Sequence, residues 1–376
     1  MASELHRHST RELRRYSRHL LIPEIGLAGQ ERLAAARVLC IGAGGLGSPI
    51  LTYLAAAGVG RIGVVDDDRV DETNLQRQIL YATSDIGRPK VEAARERLHA
   101  INPHVNVDPI PLRFDASNAR ELVRLYDIVV DGSDTFETRY VVNDACVLEA
   151  KPDVYGSIYR FDGQLSIFAA PGGPCYRCLF PLPPPAESVP SCADGGVLGV
   201  LAGMIGTWQA AQAINLILAI GDPLIGRLVL VDALGSRVRE VRVARDPQCP
   251  VCGEYPTITQ VSDAPPQAER YTGEEIEPAD LDAFLIAHPA VRVLDVREPH
   301  EALLGVVAAT LPMPASELER RLHELDSATP YVVACRVGLK SAWALARLKD
   351  AGFERLYHLR GGLLAYAARN ESFEAF

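Results

Sequence analysis

The sequence lacks three features that would point to common classes of protein. It has no excess of basic residues, because 38 Lys and Arg stand against 48 Asp and Glu, for a net charge of -10. A general nucleic-acid-binding function is therefore disfavoured, since phosphate backbones attract basic surfaces. The polar first 20 residues lack the apolar core of a secretory signal. We therefore expect a cytoplasmic protein whose eight cysteines are thiols or metal ligands instead of disulfides.

Two further motifs are missing or incomplete. The chain contains no GxxxxGK[ST] phosphate-binding loop and no internal repeat. One apolar run, residues 197–220, has the length of a membrane span, but Gln209, Gln212 and Asn215 recur in it at helical spacing and no basic cluster flanks it closely. We predict a helix buried in a large core or a dimer interface, and no association with membranes.

The order of apolar runs and turns predicts an α/β protein. RVLCIG at residues 37–42 is followed by a glycine turn, a helix ending at Gly58 and the apolar run RIGVVD, which is the order of a βαβ unit. Later apolar runs extend a mostly parallel, Rossmann-like sheet. We predict a first domain over residues 1–254, a linker rich in Pro, Thr and Ser over 255–274, and a small α/β domain over 275–376.

A glycine-rich turn predicts a nucleotide site in the first domain. Gly42, Gly44, Gly45 and Gly47 lie in GAGGLG between the first strand and its helix, where glycine lets backbone amides approach a phosphate. Asp66 ends the next strand, in position to accept a hydrogen bond from a ribose hydroxyl. This motif alone fits a nicotinamide or flavin enzyme equally well.

Four cysteines occur as two CxxC pairs. Cys175 and Cys178 form the first pair, and Cys249 and Cys252 form the second, 70 residues further along the chain. In a reducing compartment two such pairs predict a tetrahedral zinc site with a structural role. Paired free thiols or a redox site are the alternative, but neither pair has the strand-to-helix context that a redox CxxC needs.

One cysteine in the second domain has the surroundings of a reactive thiolate. Cys335 ends the apolar run YVVA and opens the turn CRVGLKS before a helix, so backbone amides, the helix N-terminus, Arg336 and Lys340 would favour its thiolate. A buried cysteine that serves as a small apolar residue is the alternative. Cys40 and Cys146 are interpreted as packing residues of a strand and a helix.

Residues 10–255 resemble the MoeB and ThiF family of ubiquitin-activating-enzyme-like adenylyltransferases. The resemblance rests on the ordered blocks YSRHL, GAGGLGSP, TNLQRQ, GRPK, DGSDTFETR, GSIYRFDGQ and SCADGGVLG. It implies ATP-dependent adenylation of the C-terminal glycine carboxylate of a small ubiquitin-like sulfur carrier protein, of the MoaD or ThiS kind, ending in Gly-Gly. Several of these carriers serve different pathways, and the sequence does not name one.

The resemblance also implies roles for individual residues. Arg77 and Lys90 would line the triphosphate, Asn74 and Thr135 would help bind the nucleotide, and Asp134 would hold Mg²⁺. Arg18 would reach in from the second subunit of a homodimer. These cations would neutralise the negative charge that accumulates when a carboxylate attacks ATP. Without the resemblance, Arg77 and Lys90 also fit solvated surface charges, and Asp134 fits a helix cap.

Residues 276–376 resemble a single-domain rhodanese, through LDVREPHE, CRVGLKS and LRGGLLAYA. This implies a persulfide on Cys335, supplied by a donor such as a cysteine desulfurase. Ser341 occupies the position where a related phosphatase loop would need arginine, which disfavours phosphate-ester chemistry. The run GVVAATLP departs from the usual rhodanese pattern by lacking its histidine. In two-domain relatives a cysteine at the position of Cys192 serves the transfer step, as a thioester or a disulfide.

Together these features predict an adenylyltransferase and sulfurtransferase that uses ATP, Mg²⁺ and Zn²⁺. A nicotinamide-dependent oxidoreductase with a structural zinc is one alternative, favoured only by GAGGLG and Asp66. A non-catalytic module that docks a ubiquitin-like protein is another. A third lies inside the family, where relatives dehydrate a modified tRNA base, but the attached rhodanese-like domain favours sulfur transfer.

Overall fold

The computed structural model describes residues 9–182, 196–263, 274–299, 310–336 and 338–367. Cys192 lies outside these residues. The described chain divides into two compact units. The first takes in the residues through Pro181 and those from 196 to 263, and the second takes in those from 274 onward.

The first unit is built on one twisted sheet. In the described residues its strands are β1 Arg37–Ile41, β2 Arg61–Val65, β3 Asn106–Ile110, β4 Ile128–Asp131, β5 Asp153–Tyr159, β6 Asp162–Phe168, β7 Arg227–Asp232 and β8 Arg237–Arg242. They are arranged in the order β3-β2-β1-β4-β5-β6-β7-β8. The pairs from β3 to β5 are parallel, and the pairs from β5 to β8 are antiparallel. The predicted α/β fold is confirmed, and the antiparallel extension is an addition to it.

The first unit also contains helices, several of which pack against strands β1 to β6. They are α1 Thr10–Arg15, α2 Ser17–Leu20, α3 Gly26–Ala35, α4 Gly47–Ala57, α5 Lys90–Ile101, α6 Ala119–Arg124, α7 Phe136–Leu148, α8 Tyr176–Leu179 and α9 Gly199–Leu218. Helix α4 ends at Gly58, whose φ of 86° is the left-handed conformation typical of a glycine after a helix. Cys40 on β1 and Cys146 on α7 are buried in the core, as predicted.

Helix α9 corresponds to the apolar run of span length. It packs on α4 and on β5 and β6, and the Nε2 atom of its buried Gln209 donates to the carbonyls of Asp131 and Val154. Val200 and Met204 on the same helix are exposed in the single chain. Among the residues that the structure describes, none of the helices combines the length and apolarity needed to cross a bilayer.

The second unit is a smaller parallel sheet. Its described strands are β9 Glu274–Ile276, β10 Arg292–Asp295, β11 Thr310–Pro312, β12 Tyr331–Ala334 and β13 Leu356–Leu359. They are arranged in the order β11-β10-β12-β13-β9, and every pair is parallel. The helices are α10 Leu281–Ala287, α11 Leu318–Arg321, α12 Leu339–Asp350 and α13 Gly362–Ala367. Buried aliphatic side chains of the strands and of α12 form its core.

The starts of two helices bear on alternatives that the sequence left open. Thr135, and not Asp134, caps α7, because the Thr135 hydroxyl accepts the Thr138 amide at 3.3 Å. The first CxxC pair does open a helix, since Cys175 is the N-cap of the one-turn helix α8. The chain therefore places a cysteine at a helix N-terminus, which the sequence did not predict.

Candidate functional site

A cavity of about 400 Å³ opens at the carboxyl ends of β1, β2 and β4. In this sheet β1 lies between β2 and β4, so this edge is the point where the strand order reverses, and such points form ligand crevices in open α/β sheets. The cavity is lined by eight of the residues predicted for the nucleotide: Gly42, Gly44, Gly45, Asp66, Arg77, Lys90, Asp134 and Thr135. Their roles remain predictions, but the structure brings them together.

The glycine turn is held to the end of β2 by hydrogen bonds. The Ala43 amide donates to Asp66 Oδ2 at 2.8 Å, and the Tyr81 hydroxyl donates to the Ala43 carbonyl at 2.8 Å. Gly42 has a φ of 85°, which favours glycine. A Cβ atom on Gly47 would lie 2.2 Å from the Gly42 carbonyl oxygen, so the helix start also requires glycine. These contacts bring the backbone of the turn against the cavity.

Asp66 is a partly buried carboxylate at the centre of the site. Besides Ala43, the Asp68 amide donates to it, at 2.9 Å from Oδ1. Burial raises the pKa of Asp66, and the nearby Lys90 charge and the two amide donors oppose that rise. Each carboxylate oxygen retains capacity for a further donor, so the predicted ribose contact is compatible with this geometry.

The two predicted triphosphate cations lie on either side of the glycine turn. Lys90 begins α5 with its side chain buried, and its Nζ atom lies 2.7 Å from Asp68 Oδ2. Arg77 lies over Gly45 and donates to the Thr73 carbonyl at 3.1 Å. Asp134 is exposed in the loop between β4 and α7 and lines the same cavity. The cavity is lined by four cations and four carboxylates: Arg77, Lys90, Arg113, Arg139, Asp66, Asp67, Asp68 and Asp134. It therefore offers both the cations that the phosphates of ATP require and the carboxylates that Mg²⁺ requires.

Three predicted residues do not line this cavity in the single chain. Arg18 is exposed on α2, which is compatible with a role across a subunit boundary. Asn74 belongs to a one-turn 3₁₀ helix, where its carbonyl accepts the Arg77 amide at 3.1 Å. Gly47 stands behind the turn at the start of α4.

Several residues of the cavity had no predicted role. Arg139 is buried in its wall, with its guanidinium 5.1 Å from the Phe136 ring and 5.7 Å from the Tyr155 ring. Gln78, also buried, lines the cavity beside Gly44. Both residues belong to blocks that carry the family resemblance, DGSDTFETR and TNLQRQ. Those blocks are the sequence feature from which their place in the site could have been predicted.

Two buried carboxylates lie on neighbouring strands behind the site. Asp131 ends β4 and Asp153 begins β5, and both are almost fully buried. Asp131 accepts the Ser133 amide at 2.8 Å, whereas its Oδ2 atom and Asp153 Oδ1 have no partner among the described residues. Burial raises the pKa of Asp131, and burial together with the Asp131 charge raises the pKa of Asp153.

The four cysteines of the two CxxC pairs meet in one cluster. Their sulfur atoms lie within 4.8 Å of one another, with Cys175 to Cys249 at 3.5 Å, Cys175 to Cys178 at 3.9 Å and Cys178 to Cys252 at 3.4 Å. A tetrahedron with Zn–S bonds of about 2.3 Å has edges of roughly 3.8 Å, so four thiolates in this arrangement fit Zn²⁺. The Asp246 amide points at Cys178 Sγ, 3.4 Å away. The donor set is closed, which suits a structural ion.

In the second unit Cys335 follows β12 directly. Its buried sulfur accepts the Gly338 amide at 3.1 Å and lies 3.4 Å from Ser341 Oγ. Gly338 has a φ of 93°, and a Cβ atom on Gly362 would lie 2.5 Å from the Cys335 carbonyl oxygen. The glycines thus let the backbone wrap closely around the sulfur, as the predicted thiolate-binding turn requires.

Comparisons with known proteins identify both units. Residues 16–251 match the ThiF family, and residues 277–369 match the rhodanese-like domain. The chain is 46% identical over 369 residues to the probable adenylyltransferase/sulfurtransferase MoeZ of Mycobacterium tuberculosis, covering 96% of this chain and 94% of that protein. It is 54% identical over 257 residues to a sulfur carrier protein adenylyltransferase of Thermus thermophilus, covering 67% of this chain and 95% of the relative.

More distant relatives agree with this assignment. The adenylyltransferase and sulfurtransferase MOCS3 of Bos taurus is 40% identical over 398 residues, covering 96% of this chain and 87% of that protein. Among solved structures, MccB of E. coli matches with a TM-score of 0.58 at 24% identity, covering 66% of this chain and 74% of that one. At this level of identity the structural match shows a shared fold.

Proposed function

The chain belongs to the ThiF family and carries a rhodanese-like domain, and from this premise we propose that it activates and sulfurates a small sulfur carrier protein. The carrier's C-terminal glycine carboxylate is adenylated by ATP, and sulfur is then transferred to it to give a thiocarboxylate. The observation that carries the first step is the single cavity that brings Arg77, Lys90 and Asp134 to the glycine turn.

The residues of the cavity have different roles in adenylation. Backbone amides of the glycine turn approach the phosphates, and Asp66 accepts from the ribose. Lys90 and Arg77 neutralise the charge that grows on the α-phosphate and the departing pyrophosphate as the carboxylate oxygen attacks phosphorus. Asp134 would hold Mg²⁺, which would supply further neutralisation of the phosphate oxygens. Thr135 would contact the nucleotide from the cavity wall, and Asn74 would do so from the 3₁₀ turn that precedes Arg77.

Arg18 completes the site in a homodimer. Its exposed position on α2, away from the cavity of its own chain, leaves it available to a second copy. The exposed Val200 and Met204 of α9 and the exposed Tyr53 of α4 supply apolar surface for such an interface.

The sulfur step uses Cys335 as a persulfide. Its terminal sulfur attacks the carbonyl carbon of the adenylate, AMP leaves with the bonding electron pair, and an acyl disulfide links carrier and enzyme. The thiolate of Cys192 then attacks Cys335 Sγ, which releases the carrier thiocarboxylate and leaves a disulfide between the two cysteines. An external thiol reduces that disulfide, and a persulfide donor such as a cysteine desulfurase reloads Cys335.

The cysteine cluster serves the first unit as a structural zinc site. Cys175 and Cys178 lie at the start of α8, and Cys249 and Cys252 lie beyond β8, so four thiolates on one ion would join two distant chain segments. Ile258 packs against the cluster, and the Asp263 side chain accepts the Ala116 amide at 2.7 Å. The chain after the second pair is therefore anchored to the first unit through residue 263.

The proposal is tested by carrier-dependent exchange of radiolabelled pyrophosphate into ATP. Exchange should require a carrier ending in Gly-Gly and should be lost in Asp134→Ala, whereas Asp222→Ala, at an exposed ion pair with Arg227, keeps it. With a persulfide source, intact mass should show one carrier oxygen replaced by sulfur. Cys335→Ala should retain exchange and lose that product. Absence of exchange with every Gly-Gly carrier would favour a docking module, and nicotinamide binding would favour an oxidoreductase.

A further inference from the structure

A chain of hydrogen bonds leads from the surface of the second unit to Cys335. Glu275 Oε1, on β9, lies 3.2 Å from His358 Nδ1, on β13. His358 Nε2 lies 3.0 Å from the hydroxyl of Ser341, on α12, and that hydroxyl lies 3.4 Å from Cys335 Sγ. Three separate elements of the fold thus contribute side chains to one line that ends at the sulfur.

The acceptors around the imidazole fix the direction of these bonds. The Glu275 carboxylate accepts only, so Nδ1 must carry a proton to bond with it. On the other side Nε2 lies 3.0 Å from the Gly338 carbonyl oxygen, which also accepts only. The surroundings therefore suit a doubly protonated imidazolium, whose Nε2 proton is shared between Gly338 and Ser341. Because the Ser341 oxygen then accepts from the imidazolium, its own proton is directed to Cys335 Sγ.

Most of the side chains in this hydrogen-bonded line are buried, which strengthens the hydrogen bonds between them. His358 is 7% exposed, Cys335 is 1% exposed and Ser341 is fully buried, whereas the Glu275 side chain is 41% exposed. A charge-assisted hydrogen bond is stronger where water is excluded. With both ring nitrogens of His358 protonated, its positive charge would act on the sulfur through one hydroxyl, and the carboxylate that compensates it is at the surface.

Other charged groups surround the line of contacts. Arg360 Nε lies 3.9 Å from Glu275 Oε2, while its Nη1 atom donates to Glu277 at 2.7 Å. Arg336 is buried next to Cys335 in the loop, and Lys340 is half-buried one turn later. The contribution of the hydrogen-bonded line must therefore be measured with these three cations left in place.

We propose that His358, held charged by Glu275, is a positioning residue that stabilises the Cys335 thiolate and persulfide through the Ser341 hydroxyl. This rests on the proposed role of Cys335 as sulfur acceptor. With thiosulfate as donor, the thiolate attacks the sulfane sulfur, the sulfur–sulfur bond of thiosulfate breaks, and sulfite leaves with the electron pair. Cyanide then removes the terminal sulfur as thiocyanate and restores the thiolate. No proton moves in either step, so the thiolate must already be present.

The test uses the full-length protein with Ser341→Ala, His358→Gln and Glu275→Gln. Each has a matched control in the same unit: Ser316→Ala, His288→Gln and Glu319→Gln. These alter exposed side chains that make no contact with Cys335 among the described residues. Alkylation of Cys335 by iodoacetamide is followed by peptide mass spectrometry from acid to alkaline pH, alongside thiosulfate–cyanide turnover.

We expect Ser341→Ala and His358→Gln to slow alkylation at neutral pH by about tenfold, the equivalent of one charge-assisted hydrogen bond. The rate at alkaline pH should match the original protein, so the midpoint of the pH profile moves upward. Glu275→Gln should shift the profile in the same direction by a smaller amount, and the controls should not shift it.

Two failures can be told apart. Unchanged alkylation profiles in folded Ser341→Ala and Glu275→Gln would overturn the role of His358, whatever the turnover. Glu275 is half-exposed and Ser341→Ala removes one atom, so these two variants decide the matter if His358→Gln does not fold. The second failure concerns the proposed function. If the alkylation profiles shift as expected but the original protein never forms a Cys335 persulfide from thiosulfate, the role of His358 stands and the proposed sulfur-acceptor function is contradicted.

Discussion

Lys90 is bound to Asp68 more closely than to Asp66: its Nζ atom lies 2.7 Å from Asp68 Oδ2 and 4.0 Å from Asp66 Oδ1. The Asp68 carboxylate is 68% exposed, whereas the lysine side chain is 4% exposed. A buried cation at the nucleotide cavity is therefore paired with a solvent-exposed carboxylate. If Lys90 turns to the triphosphate, this contact must be exchanged for contacts with phosphate oxygens.

Replacing Asp68 should consequently strengthen ATP binding. In Asp68→Asn the Lys90 ammonium no longer has to leave an ion pair in order to reach the phosphates. Because the Asp68 end of that pair is exposed to solvent, we expect the KM for ATP to fall by only about two- to fivefold. Pyrophosphate exchange at several ATP concentrations measures this. Lys90→Met is the opposing variant and should lose exchange. A KM that rises in Asp68→Asn would mean that this carboxylate assists the nucleotide.

Removing one partner of a buried ion pair should destabilise the first unit far more than removing one partner of an exposed pair of the same type. Arg177 donates twice to Asp144, at 2.7 and 2.8 Å, with both side chains almost fully buried. Asp144→Ala leaves an unpaired buried guanidinium and should lower the free energy of unfolding by about 3–5 kcal/mol. The matched control is Asp127→Ala, which removes the partner of the exposed Arg37. Urea unfolding should show a much smaller loss there, and equal losses would contradict the argument.

The buried carboxylates behind the nucleotide site should destabilise the protein as the pH rises. A carboxyl with a raised pKa holds its proton more tightly in the folded state, so its stabilising contribution is complete below the unfolded pKa of about 4 and is lost as the pH rises through the folded pKa. Asp153→Asn has no carboxyl group at this position, so it should not show this loss of stability with rising pH. The variant should therefore gain stability over the original protein at pH 8, and the gain should shrink toward pH 4.

Urea midpoints across this pH range provide the measurement. Asp127→Asn is the control of opposite sign, because its contacts with Arg37 lower the pKa of Asp127 even though its partial burial acts to raise it. That variant should lose stability at neutral pH. An Asp153→Asn protein that is less stable than the original at pH 8 would show that the ionised carboxylate has a stabilising partner.

Removal of the metal should affect stability before it affects catalysis. We expect one Zn²⁺ per chain by elemental analysis, lost in Cys252→Ser and retained in Cys146→Ser, whose cysteine is buried in α7. Loss of a structural ion that joins two distant segments should lower the unfolding temperature by on the order of 10 °C. Pyrophosphate exchange at low temperature should persist. A folded, metal-free variant without exchange would instead give the ion a direct part in the reaction.

Local signals in the sequence predicted much of this architecture. Apolar runs with β-branched residues marked β1, β2 and β4, and glycine marked the end of α4, because these features depend on neighbouring residues alone. The meeting of Cys175 with Cys249 could be inferred only from thiolate chemistry. The antiparallel strands β6 to β8 and the approach of His358 to Ser341 depend on long-range packing, which spacing along the chain does not encode. Ordered motifs located the nucleotide residues, but not the burial of Arg139.

Gly44 and Gly47 of the glycine motif should respond differently to one added methyl group. A Cβ atom at Gly47 would lie 2.2 Å from the Gly42 carbonyl oxygen, which is a backbone atom and not the end of a flexible side chain. A Cβ atom at Gly44 would approach only the flexible Gln78 side chain, at 3.6 Å. Gly47→Ala should therefore lower the urea midpoint, because overpacking typically costs about 1–3 kcal/mol. It should also displace the glycine turn and so abolish pyrophosphate exchange. Gly44→Ala should keep the urea midpoint and change only the affinity for ATP, since its methyl group faces the cavity. Equal urea midpoints for the two variants would show that the helix start tolerates the displacement.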